Sequence, residues 1–202
     1  MIRLFFIMSI MTPLLACATD TAGYESAAIR MQISAAIAGK SKQADRNYWH
    51  ALLKWSDECE SDFNYPETVS GIEIYPESDK QYIVQVMCTF GSYQGRQQFF
   101  SLQMAGDKAI IKPLQFPVFD INKKKAVLKE SSAELWGNVL NSSDHNKFTI
   151  LNLYSGYGHC GTLTTYSIIN GEVTATKLLA QPDCESKNAS RDPEKWPGYS
   201  IP

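Results

Sequence analysis

An apolar run at the N-terminus determines in which compartment this chain folds. One positive charge, at Arg3, precedes a mostly apolar segment from Leu4 to Ala16. This order is typical of a secretory signal, and the segment is shorter than the ~20 apolar residues of a membrane-spanning helix. Leu14-Leu15-Ala16-Cys17 resembles the bacterial lipobox, in which a small residue precedes the cysteine that receives diacylglycerol. We therefore predict a lipoprotein signal peptide over residues 1–16 and lipidation of Cys17.

A lipidated Cys17 would anchor the mature chain to a membrane through residues 17–23, a tether of mostly small residues. Each buried methylene group adds about 0.8 kcal/mol, so several acyl chains, palmitate among them, hold a protein stably. Asp after the lipidated cysteine retains lipoproteins in the inner membrane of enteric-type bacteria, whereas this chain has Ala18. We expect an outer-membrane anchor that faces the periplasm. The alternatives are an ordinary signal cut near Ala16 or Ala18 and an uncleaved anchor helix.

Four cysteines remain after Cys17, at positions 59, 88, 160 and 184. An exported compartment is oxidising, so an even number predicts two disulfides, for which three pairings are possible. We favour Cys59–Cys88 and Cys160–Cys184, since each pair closes a loop within its own half of the chain. The alternative is a zinc site with help from His50 or His159, but no two cysteines have the close C-x₂₋₄-C spacing of most such sites.

The charge of the mature chain argues against a nucleic-acid partner. Of the 19 basic residues only Arg3 lies in the signal, so 18 basic residues face 21 acidic ones and the net charge is −3. The basic cluster Lys123-Lys124-Lys125 is interpreted as a solvated turn. No nucleotide, zinc-protease or hydrolase motif is found, so no cofactor and no metal is predicted. We treat residues 24–202 as a single globular domain, long enough for a real core.

Two short helices are predicted at the start of this domain, within residues 24–57. Ile29, Ile33 and Ile37 recur at a spacing of four in the first, which stops at Gly39. The second, over residues 44–57, repeats that spacing, and Asp45 is a candidate cap for its start. Its tryptophans Trp49 and Trp55 are predicted to be core residues.

From Gly71 the apolar period changes from helical spacing to two, which is typical of strands. The predicted strands cover residues 72–75, 81–90, 97–104, 109–116, 147–154, 162–169 and 172–179. Residues 119–134 are predicted to be a polar connector with one short helical turn. Asn170-Gly171 is a strong hairpin signal. The fold class is mainly β (α+β), with two antiparallel meanders over 71–119 and 147–202, two N-terminal helices and disulfide bracing.

Several residues together resemble an uncharacterised bacterial envelope family, domain-of-unknown-function family 1176. The shared elements are Trp55 with Cys59, Val84–Cys88 followed by Gly91-Ser92-Tyr93, Gly156–Thr162, Tyr166 with Gly171, Cys184, and Trp196-Pro197. The chain departs from the family pattern at His159, where Asp is usual, and at Ser92, where Ala is usual. The resemblance implies residence in the periplasm or at the cell surface, and disulfides. It implies no activity.

The segment Ser155-Gly156-Tyr157-Gly158-His159 is the candidate binding loop. It is faintly similar to the loop that some lipoprotein inhibitors insert into the cleft of lysozyme, although its Tyr is displaced by one position. The alternative is a tight turn whose glycines meet backbone demands. A nucleophilic pair of Cys160 with His159 is disfavoured, because adjacent residues on a strand point to opposite faces and a disulfide would remove the thiol that the pair requires.

These observations support three hypotheses about function. The first is a non-catalytic envelope lipoprotein that binds a partner, either an envelope protein or peptidoglycan. The second is an inhibitor or immunity protein for a periplasmic hydrolase such as lysozyme, and the third is an enzyme that acts on cell-wall material. We expect a cleft with convergent polar groups for an enzyme and a rigid exposed loop for an inhibitor.

Overall fold

The computed structural model describes residues 26–66, 68–106, 108–122, 125–140, 147–186 and 189–202. The predicted signal peptide, Cys17 and the tether lie outside these residues, as does His145. Within them no helix is long and apolar enough to span a membrane.

Three short helices precede the sheet: α1 (Ser26–Ile37), α2 (Gln43–Leu53) and α3 (Asp57–Ser61). In α1, Ile29 and Ile33 are buried, whereas Ile37 is half exposed. Asp45 lies inside the first turn of α2, where its carboxylate accepts a hydrogen bond from the backbone N–H of Lys42 (2.8 Å). The third helix was not predicted, because its five residues, DECES, carry no apolar periodicity.

Eight strands form one antiparallel sheet in the order β1-β2-β3-β7-β8-β9-β10, with β4 also paired to β3. These strands are β1 (Ile72–Ser78), β2 (Gln81–Phe90), β3 (Gly95–Ala105), β4 (Lys108–Pro113), β7 (Glu134–Leu140), β8 (Lys147–Leu153), β9 (Gly161–Ile169) and β10 (Glu172–Gln181). Strands β1–β4 and β7–β10 are the two meanders, so the predicted fold class is confirmed. The pairing of β3 with β7, for example Arg96 with Trp136, joins both meanders into a single sheet.

The prediction of a polar connector over residues 119–134 is wrong. This segment forms most of a two-stranded hairpin, β5 (Phe116–Asn122) with β6 (Lys125–Ser132), and the start of β7. Strand β6 escaped detection because Ala126 is its only buried residue, while Val127 and Leu128 are each about half exposed. Backbone pairing with β5, and not burial of an apolar face, makes it a strand.

The core lies on both faces of the sheet. The helices cover one face of the first meander, where Trp49 and Trp55 pack in one cluster with Val84 and Val86. The β5–β6 hairpin contributes Phe116 and Phe119 to a second cluster on the other face, together with Phe99, Phe148, Tyr166 and Ile168. The C-terminal segment adds Trp196, which packs on Leu163 and Leu179. Trp49 and Trp55 are thus core residues, as predicted.

Two disulfides have the predicted pairing, Cys59–Cys88 and Cys160–Cys184. The first ties α3 to β2, and the second ties the β8–β9 loop to the segment after β10. All four sulfur atoms are consumed by these bonds, which removes them as zinc ligands. Among the described residues, no group of three or more His, Cys, Asp or Glu side chains is arranged to hold a metal ion.

Candidate functional site

The candidate binding loop connects β8 to β9 and is closed by its own backbone. The N–H of Tyr154 donates to the carbonyl of Cys160 (3.1 Å), and the N–H of Gly158 donates to the carbonyl of Ser155 (3.2 Å). Gly158 has a φ of +75°, a value that side chains other than glycine rarely adopt. The loop therefore has a defined conformation set by a glycine and by local backbone hydrogen bonds.

The base of the loop is fastened to the segment that follows β10. Nε2 of His159 lies 2.6 Å from the carbonyl oxygen of Cys184, the residue that is also bonded to Cys160. The hydrogen bond of His159 and the disulfide of Cys160 thus hold two adjacent residues of the loop. A Cys–His nucleophile is excluded, as expected from the sequence, because Cys160 is bonded to Cys184 and has no free thiol. The His159 side chain holds the loop instead.

Tyr157 is the one candidate side chain that the loop presents fully to solvent, with 79% of its surface exposed. The Ser155 hydroxyl is partly buried and lies 3.5 Å from the sulfur of Cys160. Gly156 and Gly158 carry no side chain. Of the five residues predicted from the sequence, Tyr157 alone is therefore suited to direct contact with a partner.

A second loop, between β2 and β3, lies directly beside the first. A Cβ atom added to Gly156 would lie 3.4 Å from the ring of Tyr93, which is 40% exposed. The amide of Gln94 accepts from the backbone N–H of Leu153 (2.8 Å) and donates to the Asn152 side chain (3.3 Å). Sequence reasoning missed Tyr93, since its neighbours in space come from the other meander. We call Tyr93 and Tyr157 with their two loops the loop surface.

A cleft of about 350 Å³ lies between the β5–β6 hairpin and strands β7–β10. Four charged side chains line it: Asp120, Lys129, Glu130 and Glu134. Asn152, Thr162 and Thr164 line it from the sheet, and Trp136 and Tyr154, each almost half exposed, contribute aromatic rings. The sequence offered no signal for this cleft, because the hairpin that forms one wall was not predicted.

The cleft lies where β7 is separated from β8, and this separation ends at Gly137. Residues 134–137 of β7 pair with β3, and only residues 138–140 pair with β8. Gly137 has a φ of +140°, and an added Cβ atom would lie 2.7 Å from the carbonyl oxygen of Leu151. A glycine is thus required where β7 leaves β8. Trp136, one residue before Gly137, is not paired with β8, and it lines the opening together with Asn152.

Two tyrosines in the cleft have raised pKa values. Burial raises the pKa of Tyr166 to about 12, against a weaker lowering by a hydrogen bond with Thr164. Its hydroxyl group donates to the carbonyl of Pro117 (3.1 Å), which links the sheet to the hairpin. Burial also raises the pKa of Tyr154, opposed by a hydrogen bond with Thr162 and aided by the negative charge of Asp120. Both phenols are therefore neutral at ordinary pH and act as hydrogen-bonding groups.

Glu134 is held in place by the residues beneath the cleft. Its carboxylate accepts from Arg96 (3.3 Å) and from the amide of Gln98 (3.2 Å). Arg96 also pairs with Glu58 and Asp62 of the α3 region. Burial lowers the pKa of Arg96, but the hydrogen bond with Glu58 and the three negative charges outweigh it and raise the pKa. Arg96 is thus a charged tie between α3 and β7.

His50, weighed as a possible ligand, lies apart from both sites. Its Nε2 atom is 3.2 Å from the carbonyl oxygen of Trp55, and its ring packs on the Trp55 ring with centroids 4.8 Å apart. These contacts give His50 a role at the end of α2.

Comparison with known proteins assigns no function to either site. No family model matches the chain, and neither a curated protein nor a solved structure is significantly similar to it. The resemblance to family 1176 therefore stays a prediction.

Proposed function

We propose that this chain is a non-catalytic, lipid-anchored protein of the bacterial cell envelope that binds a protein partner in the periplasm through the loop surface. The exposure of Tyr157 is the observation that carries this proposal. Tyrosine is enriched among the residues that dominate binding energy at interfaces, because its ring buries a large apolar area and its hydroxyl group hydrogen-bonds.

The rigidity of the loop supports the same proposal. Binding costs free energy when mobile groups must be ordered, and a loop that is ordered beforehand avoids much of this cost. The Cys160–Cys184 bond, the hydrogen bond of His159 and the packing of Gly156 on Tyr93 all act on this loop. Residues that serve only as a turn would not need an exposed aromatic ring at the tip.

The test is capture of partners from envelope extract by the full mature chain, followed by the Tyr157→Ala variant. We expect the variant to lose at least about tenfold in affinity, which corresponds to the ~1.4 kcal/mol or more typical of a dominant contact. Ile169→Ala is the matched control, because Ile169 is an exposed apolar residue at the opposite end of β9. Equal capture by both variants would refute the loop surface as the binding site.

A second and narrower proposal is that the partner is a periplasmic hydrolase such as lysozyme. Glycines flank Tyr157 on both sides, so the tip of the loop is slim enough to enter an enzyme cleft. Inhibition of peptidoglycan hydrolysis by the purified chain, lost in Tyr157→Ala, would support an inhibitor or immunity protein. Binding without inhibition would restrict the proposal to partner binding.

One observation favours an enzyme that acts on cell-wall material, namely the carboxylates of the cleft. Glycosidases use two carboxyl groups that face each other across the scissile bond. Asp120 and Glu130 lie on the hairpin wall and Glu134 on the opposite wall, where Arg96 and Gln98 hold it, so a facing pair combines Glu134 with one of the other two. Release of soluble fragments from purified peptidoglycan, abolished by Glu134→Gln and by either Asp120→Asn or Glu130→Gln, would replace the binding proposal with this one.

A further inference from the structure

The cleft under the β5–β6 hairpin has the properties of a ligand site of its own, independent of the loop surface. Its volume of about 350 Å³ lies within the range of roughly 300–1,000 Å³ that small-molecule sites occupy. One wall comes from the hairpin and the other from strands β7–β10, so the site depends on the tertiary arrangement of both.

The wall formed by the sheet changes from apolar to polar where it enters the cleft. Deeper in the sheet, Phe148 pairs with Tyr166, and both are core residues. On the same face of the sheet, four residues along each strand from that pair, Asn152 pairs with Thr162. Thr164 lies in β9 between Thr162 and the core residue Tyr166. Thr162 and Thr164 are buried. Thr162 is hydrogen-bonded to Tyr154 and Thr164 to Tyr166. Each hydroxyl group has lone pairs left, so a polar ligand that donates hydrogen bonds could bind to both.

Trp136 and Tyr154 add aromatic surface to this polar wall. They are 47% and 45% exposed; Trp136 lies in β7, and Tyr154 directly follows the end of β8. Aromatic rings bury a large apolar area, and in Trp and Tyr that surface adjoins a polar group. A ligand that offers apolar C–H faces and a rim of hydroxyl groups would match both kinds of surface. Saccharides have this chemistry.

The charges of the cleft narrow the class of saccharide. Three carboxylates line the cleft, those of Asp120, Glu130 and Glu134, with a single cation, Lys129. Arg96 pairs with Glu134 from below but is shared with Glu58 and Asp62, so it does not neutralise the group. The net charge at the opening is therefore negative, which disfavours phosphorylated or carboxylated ligands because like charges repel. Carboxylates accept hydrogen bonds from neutral hydroxyl and amide groups, so an uncharged sugar suits them.

We propose that this cleft binds a neutral saccharide of one or two rings. Trp136 and Tyr154 pack on the faces of the sugar, and Asp120, Thr162 and Thr164 hydrogen-bond its hydroxyl or acetamido groups. The proposal concerns a different site from the loop surface, so either can fail without the other.

Trp136 provides a direct readout of binding. The chain has four tryptophans, of which Trp49, Trp55 and Trp196 are at most 4% exposed. Quenching of fluorescence by acrylamide therefore reports mainly on Trp136. We expect neutral disaccharides, namely diacetylchitobiose, cellobiose or maltose at millimolar concentration, to protect this ring from quenching. The full chain is used, in a detergent that carries no sugar headgroup.

Variants test whether protection comes from the cleft. Thr162→Val with Thr164→Val keeps side-chain shape but removes both hydroxyl groups, and we expect it to weaken binding by about tenfold or more. Thr165→Val is the matched control, because Thr165 lies on the other face of β9, where its hydroxyl group contacts Thr149 (3.1 Å). Thermal melting verifies that each variant is folded.

Three results would overturn the proposal. They are an absence of protection by all three disaccharides, equal binding by the double variant and the control, and stronger binding of a uronic-acid disaccharide than of its neutral counterpart. Tyr157→Ala is expected to leave saccharide binding unchanged, and the double variant to leave partner capture unchanged. Failure of this proposal is thereby distinguishable from failure of the proposed function.

Discussion

Nε2 of His159 lies 2.6 Å from the carbonyl oxygen of Cys184, so a hydrogen bond and the neighbouring disulfide fasten the same loop to the same segment. The two fastenings differ in strength and in their dependence on conditions, since reducing agents break only the disulfide. The exposed ring of Tyr157 is held by both.

Replacement of His159 by Ala should loosen the candidate binding loop without unfolding the domain. Loss of one hydrogen bond costs about 1 kcal/mol. Faster hydrogen–deuterium exchange of the amides of residues 155–159 is the expected result, with the exchange of strands β2 and β3 unchanged. Tyr157→Ala, which keeps the hydrogen bond, is the control, and unchanged exchange in His159→Ala would contradict the holding role of His159.

Non-reducing peptide mapping of the native protein should find Cys59 linked to Cys88 and Cys160 linked to Cys184. Removal of either pair by double Ala substitution should cost about 2–4 kcal/mol of the free energy of unfolding, measured with urea. Loss of Cys160–Cys184 should also weaken partner capture. A peptide that links Cys59 to Cys160 would contradict the pairing described here.

Tyr166 should make the fold sensitive to alkali. Its pKa is about 12 when folded and about 10 in an unfolded chain, so the folded state holds its proton more tightly. The contribution of Tyr166 to the free energy of unfolding is fully present below pH ~10 and is lost as the pH rises toward 12. A pKa difference of about two units corresponds to about 2–3 kcal/mol. Urea unfolding at pH 8 to 11.5 should therefore show a shallower loss of stability in Tyr166→Phe. Parallel losses in both proteins would contradict the assignment.

Cys17→Ser should move the protein out of the membrane fraction and abolish labelling with radioactive palmitate. The reason is that Cys17 is the predicted acylation site, so the variant would lack the acyl chains that bind the membrane. Ala18→Ser, which keeps the cysteine, is the control. Membrane association of an unlabelled Cys17→Ser protein would point to the uncleaved anchor helix instead.

Features encoded within a few residues were predictable from the chain. Ile29 and Ile33 repeat at helical spacing and are buried, and Val84 and Val86 alternate in β2 and are buried. Asn170 and Gly171 have φ values of 54° and 79° at the turn between β9 and β10, as the hairpin signal predicts. In each case the pattern and the structure obey the same local geometry.

Features that depend on contacts between distant residues were missed. Strand β6 has no apolar face to detect, the packing of Tyr93 against Gly156 joins two meanders, and β7 is separated from β8 before Gly137, where the cleft lies. The candidate binding loop was predicted from the sequence, but the sequence did not show which of its side chains are exposed and which contact the rest of the protein. The His159 side chain contacts the carbonyl group of Cys184 beneath the loop, whereas the Tyr157 side chain is exposed to solvent.

The sequence by itself determined the mainly β class and the two meanders and favoured the observed pairing of the four cysteines, because strand periodicity and closure of short loops are properties of nearby residues. Only the tertiary structure decided that the meanders share one sheet, that a hairpin covers it and that a polar cleft lies between them. The reason is physical: pairing between strands and the covering of a face are chosen by the free energy of the whole packed chain, which no short segment contains.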